Sequence, residues 1–266
     1  MSVQQTSEMV GVDGVRKVYG EGPHALEALR SVSFSVETGQ FVSILGPSGC
    51  GKSTLLNMVA GLDHPSAGTV RIQNDPVVVP RREIGIVFQD AVLLPWKTAL
   101  ENVLFPIRIM KLPLADYEPR ARELLEAVGL AAFMEHRPGQ LSGGMRQRVA
   151  ICRGLVHDPE VLLMDEPFSA LDTMTRDQMN VMLMQIWERF KRTALFVTHS
   201  IREAAYLSDR VIVMGRRPSQ IVCDEIIRFP RPRPLSMMDS AEFNGLCAKL
   251  RAKIDEAHGF DSDDLH

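Results

Sequence analysis

Eight consecutive residues, Gly46-Pro47-Ser48-Gly49-Cys50-Gly51-Lys52-Ser53, match the pattern G-x-x-x-x-G-K-[S/T]. The chemistry such a run serves is phosphate binding. Its glycines let backbone N–H groups turn inward around phosphate oxygens, and a helix opening at its end adds a positive dipole terminus. Lys52 supplies a point charge for β- and γ-phosphates, and the Ser53 hydroxyl is a hard oxygen ligand suited to Mg²⁺. A second run, Val161-Leu162-Leu163-Met164-Asp165-Glu166, sets four apolar residues before two adjacent acids. Alone it reads as a buried parallel strand with a solvated end. Beside a phosphate loop, an acid at the carboxyl end of a neighbouring strand stands where Mg²⁺ needs a second anchor, and Asp165 suits that task through water. Glu166, one residue on and pointing differently, suits a general base that polarises an attacking water. A third run, Leu141-Ser142-Gly143-Gly144, places an N-cap candidate before two glycines. In a plain helix those glycines would cost about 1 kcal/mol each, but they leave the first N–H groups open to a closely approaching anion.

The elements that must position these residues follow from periodicity. Phe41–Leu45 is a short apolar run of strand formers, followed by the glycine-rich loop and then a helix with Leu55, Leu56 and Val59 on its buried face, stopped by Gly61. From Met9 to Val36, short apolar runs broken by the turn-rich Tyr19–Pro23 stretch predict two or three strands in an antiparallel patch. Thr69–Ile72 and Ile84–Phe88 are further strand candidates. A helical pattern runs from Ala99 to Val128, and Ser142 opens another helix to about Val156. Beyond it, strands at Val161–Met164, Ala194–Thr198, Arg210–Met214 and Gln220–Ile226 alternate with helices at Thr173–Lys191 and Ile201–Leu207. That alternation predicts a mostly parallel α/β sheet with helices on both faces, and the helical block at about 95–157 reads as an insertion. Residues 229–234 are Pro-rich and expected to be extended, with a helix of some 20 residues after them.

Composition excludes several functions. Of 266 residues, 45% are hydrophobic and 24% charged, with 30 Lys plus Arg against 33 Asp plus Glu, a balance unsuited to disorder or to a nucleic-acid partner. The longest stretch free of charged residues, Thr38–Gly51, is too short and glycine-rich to span a bilayer. The first basic residue is Arg16, so no signal peptide is expected, and four scattered cysteines suit a reducing cytosol.

Taken together, the phosphate loop, the LSGG run and the Asp165-Glu166 pair closely resemble the ATP-binding cassette (ABC) family of transporter ATPases, over nearly all of residues 9–228. The resemblance implies a P-loop NTPase (RecA-like) α/β core with an N-terminal antiparallel β patch and a helical subdomain at about 95–157. It leaves residues 1–8 as a flexible N-terminus and 229–266 as a Pro-rich segment and C-terminal helix. ATP would be held by Gly46, Pro47, Ser48, Gly49, Cys50, Gly51, Lys52, Ser53 and Thr54, with Tyr19 stacked on adenine. Gln89 matches the glutamine that senses Mg²⁺ and the γ-phosphate, and His199 the histidine that contacts that phosphate. Catalysis would fall to Glu166, His199, Lys52 and Gln89, and Mg²⁺ to Ser53, Gln89 and Asp165. Asp172, in Ser169-Ala-Leu-Asp, would lie at a dimer interface. Met145 departs from the family, which usually has Gln there, and a thioether cannot replace an amide's hydrogen bonds.

The family logic also implies partners. Two cassettes pack head to tail on binding ATP, each closing the other's nucleotide with Ser142, Gly143 and Gly144, so a single copy per chain implies a homodimer. A separate integral membrane permease, and indirectly a solute-binding protein, would complete a transporter with this chain cytoplasmic and peripheral on the inner face of the membrane. The run Gln89–Asn102, the LSGGM form of the signature and the late Pro-Arg-Pro-Arg further resemble nitrate/sulfonate/taurine-type importers. Leu93, Leu94 and Trp96 in that run are either core or the lining of a groove for a permease helix. An exporter or lipoprotein-release ATPase is the alternative, tolerated by the Pro23–Leu29 region and Gly61-Leu-Asp63. A soluble cassette acting on DNA or ribosomes is more remote, since no second cassette or long heptad run is present.

Overall fold

The structure, a computed structural model, describes residues 7–258. In chain order these form β1 (Glu8–Tyr19), β2 (Leu26–Glu37), β3 (Phe41–Leu45), α1 (Lys52–Val59), β4 (Ala67–Ile72), β5 (Asp75–Pro76) and β6 (Ile84–Val87). Helices α2 (Ala99–Val103), α3 (Phe105–Ile109), α4 (Leu114–Ala127) and α5 (Gly143–Leu155) follow. Then come β7 (Val161–Asp165), α6 (Thr173–Phe190), β8 (Thr193–Thr198), α7 (Ile201–Leu207), β9 (Arg210–Met214), β10 (Ile221–Ile226) and α8 (Ala241–His258). Of the N-terminal segment expected to fray, residues 1–6 lie outside the described part. Beyond them, Thr38 N–H donates to Ser7 O at 3.0 Å, and Glu8 opens β1.

The chain divides into two compact units, residues 1–81 with 193–266, and residues 82–192. In the first, β2, β1, β4 and β5 form the expected antiparallel patch, with Val12 opposite both Phe34 and Val70. Strand β3 runs parallel to β8 on one side and β9 on the other, and β10 closes on β9 antiparallel. All residues of β3 and β8 are buried, as suits parallel strands covered on both faces, whereas β10 alternates half-buried and exposed as an edge strand should. Helix α1 packs on β8, α7 on β3 and β8, and α8 on α7, β9 and β10. The rings of Phe41 and Phe196 stand 5.9 Å apart in this core, and Phe243 and Leu250 of α8 are fully buried.

The Pro-rich segment is anchored to the end of α7. The buried Arg233 guanidinium donates to Tyr206 O (2.7 Å) and Ser208 O (2.8 Å), and Tyr206 Oη donates back to Arg233 O (2.9 Å). Arg231 pairs with Asp209 at 2.8 Å.

In the second unit β6 and β7 pair in parallel, with Val87 opposite Met164, and α5 lies against β6. That approach is close: a Cβ on Gly85 would stand 2.1 Å from Gly154 O. The helical run expected unbroken from Ala99 to Val128 is three helices. Pro106 at the start of α3 has no N–H to continue the ladder from α2, and Lys111 at φ 54° turns the chain before Pro113 precedes α4. Thr98 and Glu101 start α2 with a reciprocal capping box.

Candidate functional site

Within the first unit the phosphate loop joins β3 to α1 as the spacing predicts. Gly51 (φ 107°) and Gly49 (φ 76°) occupy left-handed backbone that other residues resist. Gly51 is also crowded, since a Cβ there would meet Leu29 Cδ2 at 2.8 Å. Lys52 is 4% exposed, and its Nζ folds over the loop to donate to the carbonyls of Gly46 and Pro47, each at 2.9 Å. Ser53 and Thr54 follow in the first turn of α1. Cys50 is buried, and that burial raises its thiol above its usual range.

Tyr19 is 41% exposed at the end of β1. Its hydroxyl donates to Asp63 Oδ2 at 3.0 Å and lies 3.3 Å from Thr54 Oγ1, which ties it to the helix that the phosphate loop opens. Lys17 Nζ sits 4.9 Å from the ring centroid and bonds Asp63 Oδ1 and His64 O. His199 follows β8, and because Leu45 and Thr198 are paired, the histidine and the phosphate loop leave neighbouring strands at the same end. His199 is exposed on a braced turn. Thr198 Oγ1 accepts from Ser200 N (3.0 Å) and donates to the buried Glu203 carboxylate (2.6 Å), while Glu203 N–H donates to Ser200 Oγ (3.4 Å).

Within the second unit, the Val87–Met164 pairing sets Gln89 and the Asp165-Glu166 pair just beyond the carboxyl ends of adjacent strands. Asp165 ends β7. Glu166 has φ 43°, a left-handed conformation rare for a non-glycine residue, and its carbonyl accepts from Ser169 N–H (3.1 Å) and Oγ (3.0 Å). Ser142 caps α5, accepting from Met145 N–H at 3.3 Å, with Ser142 and Gly143 exposed. Gly144 is buried against α6, where a Cβ would meet Thr175 Cγ2 at 3.0 Å. Asp172 caps α6, and the Thr175 backbone N–H at 3.0 Å is the main reason its carboxyl is held below the usual range. The signature and Asp172 are thereby neighbours.

Three groups that sequence reasoning missed hold these positions. Asp63 positions Tyr19, Glu203 braces the turn at His199, and helix α5 restrains the Gln89 segment. From α5, Gln147 donates to Phe88 O (3.2 Å) and Arg153 to Ala91 O (2.7 Å) and Val92 O (2.8 Å).

Residues 29–169 match the family model described as ABC transporter. The chain belongs to the ABC transporter family. It is 41% identical to an aliphatic sulfonates import ATP-binding protein of Bacillus cereus, over 84% of this chain and 89% of that protein. It is 43% identical to a taurine import ATP-binding protein of Burkholderia pseudomallei, over 82% and 84% respectively. A solved dimeric ATP-binding cassette in a post-hydrolysis state, bound to ADP and Pi, is similar at 37% identity and TM-score 0.72, covering 84% of this chain and all of that one. The expected P-loop NTPase fold and ATPase activity both stand on these likenesses. The chain is an ATP-hydrolysing ABC cassette.

Proposed function

We propose that this cassette energises an importer of a small anionic solute of the sulfonate, taurine or nitrate type, working as a head-to-tail homodimer against membrane permease subunits. The observation that carries the import reading is the identity above 40% to two import ATP-binding proteins over more than four-fifths of the chain. No helix among the described residues is long and apolar enough to cross a membrane. The cassette would sit on the cytoplasmic face, and a solute-binding protein would select the cargo outside.

The residues divide the work of hydrolysis. Tyr19 offers a ring to adenine, and residues 46–54 hold the phosphates by backbone N–H groups and the Lys52 charge. A hydroxyl, an amide and a carboxylate (Ser53, Gln89, Asp165) are the hard oxygen donors that Mg²⁺ prefers. When bound, the ion would neutralise charge on the β- and γ-phosphates. Glu166 polarises the attacking water, His199 stabilises the charge that develops, and Ser142, Gly143 and Gly144 of one copy meet the γ-phosphate held by the other. The left-handed backbone at Glu166 supports an aimed carboxylate rather than a freely solvated one.

Permease docking belongs to the second unit. An open apolar groove of about 630 Å³ is lined by Phe88, Val92, Leu94, Phe105, Ile109 and Met110, directly after the strand that leads to Gln89. Val92 (65% exposed), Trp96 (67%) and Ile109 (65%) leave apolar surface of the kind that marks a partner site. Leu94 lines this groove, which supports a groove role for that leucine. Co-expression with a candidate permease tests the reading. Leu94→Asp should keep ATPase activity and melting temperature while permease binding and uptake fall at least about tenfold. Unfolding of the isolated Leu94→Asp chain would make that leucine core instead. Retained uptake would place docking elsewhere.

A further inference from the structure

The turn joining β9 to β10 touches the phosphate loop at several points that the G-x-x-x-x-G-K-S pattern does not contain. Gly46 packs on the end of β9, where an added Cβ would stand 2.8 Å from Met214 O. Ser219 is fully buried and fixes the turn to β2: its N–H donates to Ala28 O (3.0 Å), its carbonyl accepts from Arg30 N–H (2.9 Å), and its Oγ donates to Gly215 O (2.9 Å). From this anchored turn the exposed Arg217 reaches back. Its Nε (3.1 Å) and Nη2 both donate to the carbonyl of Gly49. Pro47, Ser48, Gly49 and Cys50 on one side, with Arg216 and Arg217 on the other, line an open cavity of about 410 Å³.

Gly49 C=O and Cys50 N–H belong to one peptide plane. The carbonyl is held by Arg217, and the N–H points to Pro47 O at 3.4 Å. A peptide next to glycine can rotate at little steric cost, because Gly49 at φ 76° has no Cβ to resist it. Rotation would break the Arg217 contact and turn the Gly49 carbonyl and the Cys50 N–H to new sides of the loop. A guanidinium giving two donors to that one oxygen opposes the rotation.

We propose that Arg217 is a positioning residue for ATP: by fixing the Gly49 carbonyl, it keeps the loop in its phosphate-accepting conformation. The proposal rests on residues 46–54 being the ATP phosphate site. Arg217 acts on the loop, so its removal should weaken nucleotide binding in ground state and transition state alike.

The test uses the full-length chain with Mg²⁺ and ATP, titrated calorimetrically and assayed at steady state, as wild type, Arg217→Ala and Arg217→Lys. Arg217→Ala should raise Kd and KM for ATP roughly five- to tenfold. Its kcat should stay within about twofold, since uniform binding is what is lost. The exposed side chain predicts a melting temperature within about 2 °C of wild type. Arg217→Lys, with a single ammonium in place of the fork, should fall between the two. An unchanged Kd in Arg217→Ala would overturn the proposal, as would a loss confined to kcat. A lowered melting temperature with Kd intact would also overturn it, making Arg217 a structural tie. Wild type that takes up no ATP would overturn the underlying phosphate-site reading, and this proposal with it.

Discussion

Asp63 takes hydrogen bonds from Lys17 Nζ at 2.5 Å, from the Tyr19 hydroxyl at 3.0 Å and from the His64 N–H at 2.7 Å. Burial by itself would raise its carboxyl, but Lys17, His64 and Tyr19 together hold it below the ordinary carboxylate range. A carboxyl whose pKa is lower folded than unfolded stabilises the fold above the unfolded value of about 4 and loses that contribution as pH falls through the folded one. Asp63→Asn should therefore lower the melting temperature by about 1–3 °C at pH 7, and the gap should close as pH falls below the ordinary carboxylate range. An offset that stays constant across that range would mean the carboxylate charge is not what holds Tyr19. None of this was legible in the sequence, because Lys17 and Asp63 lie 46 residues apart with no periodic relation. Lys52 was legible for the opposite reason, since the carbonyls it bonds, those of Gly46 and Pro47, lie within the same eight residues. The left-handed backbone of Glu166 is likewise invisible in a pattern of residue types.

Among the elements, α5 serves several tasks from one helix. Its start was readable as a cap before two glycines, and Ser142 does cap it. Its flank was not, because Gln147 and Arg153 restrain backbone about 60 residues earlier, and Gly144 is small partly to let Thr175 approach. The breaks between α2, α3 and α4 were missed although Pro106 and Pro113 stood in the run, because apolar spacing outweighed the missing N–H groups. Ser142→Arg probes the exposed start of α5. Loss of the cap should cost about 1 kcal/mol, so the chain still folds. A monomer of this variant should bind ATP with unchanged affinity, fail to dimerise on ATP and lose most hydrolysis. Loss of ATP binding by the monomer would show that the signature acts within its own chain.

At the scale of the molecule, the alternation of strands and helices was enough to predict an α/β fold, since β3, β7, β8 and β9 are short, apolar and bounded by turn residues. Each compact unit then holds its own share of the candidate residues. Tyr19, the phosphate loop and His199 belong to one, and Gln89, the signature, Asp165, Glu166 and Asp172 to the other. Pattern reading found these residues, but not the Gln147, Arg153 and Glu203 side chains that brace the segments beside them, because those bonds run to backbone carbonyls and hydroxyls that carry no residue code. The central claim is that two copies enclose ATP and that Glu166 activates the water that cleaves it. Its most direct test is light scattering during size exclusion of Glu166→Gln with Mg²⁺ and ATP, with turnover measured on the same sample. The amide keeps the shape and removes the base, so the variant should elute at twice the 29.7 kDa of one chain and hydrolyse ATP roughly 10²–10⁴-fold more slowly than wild type. A variant that stays at the mass of one chain and turns over ATP at the wild-type rate would contradict the account.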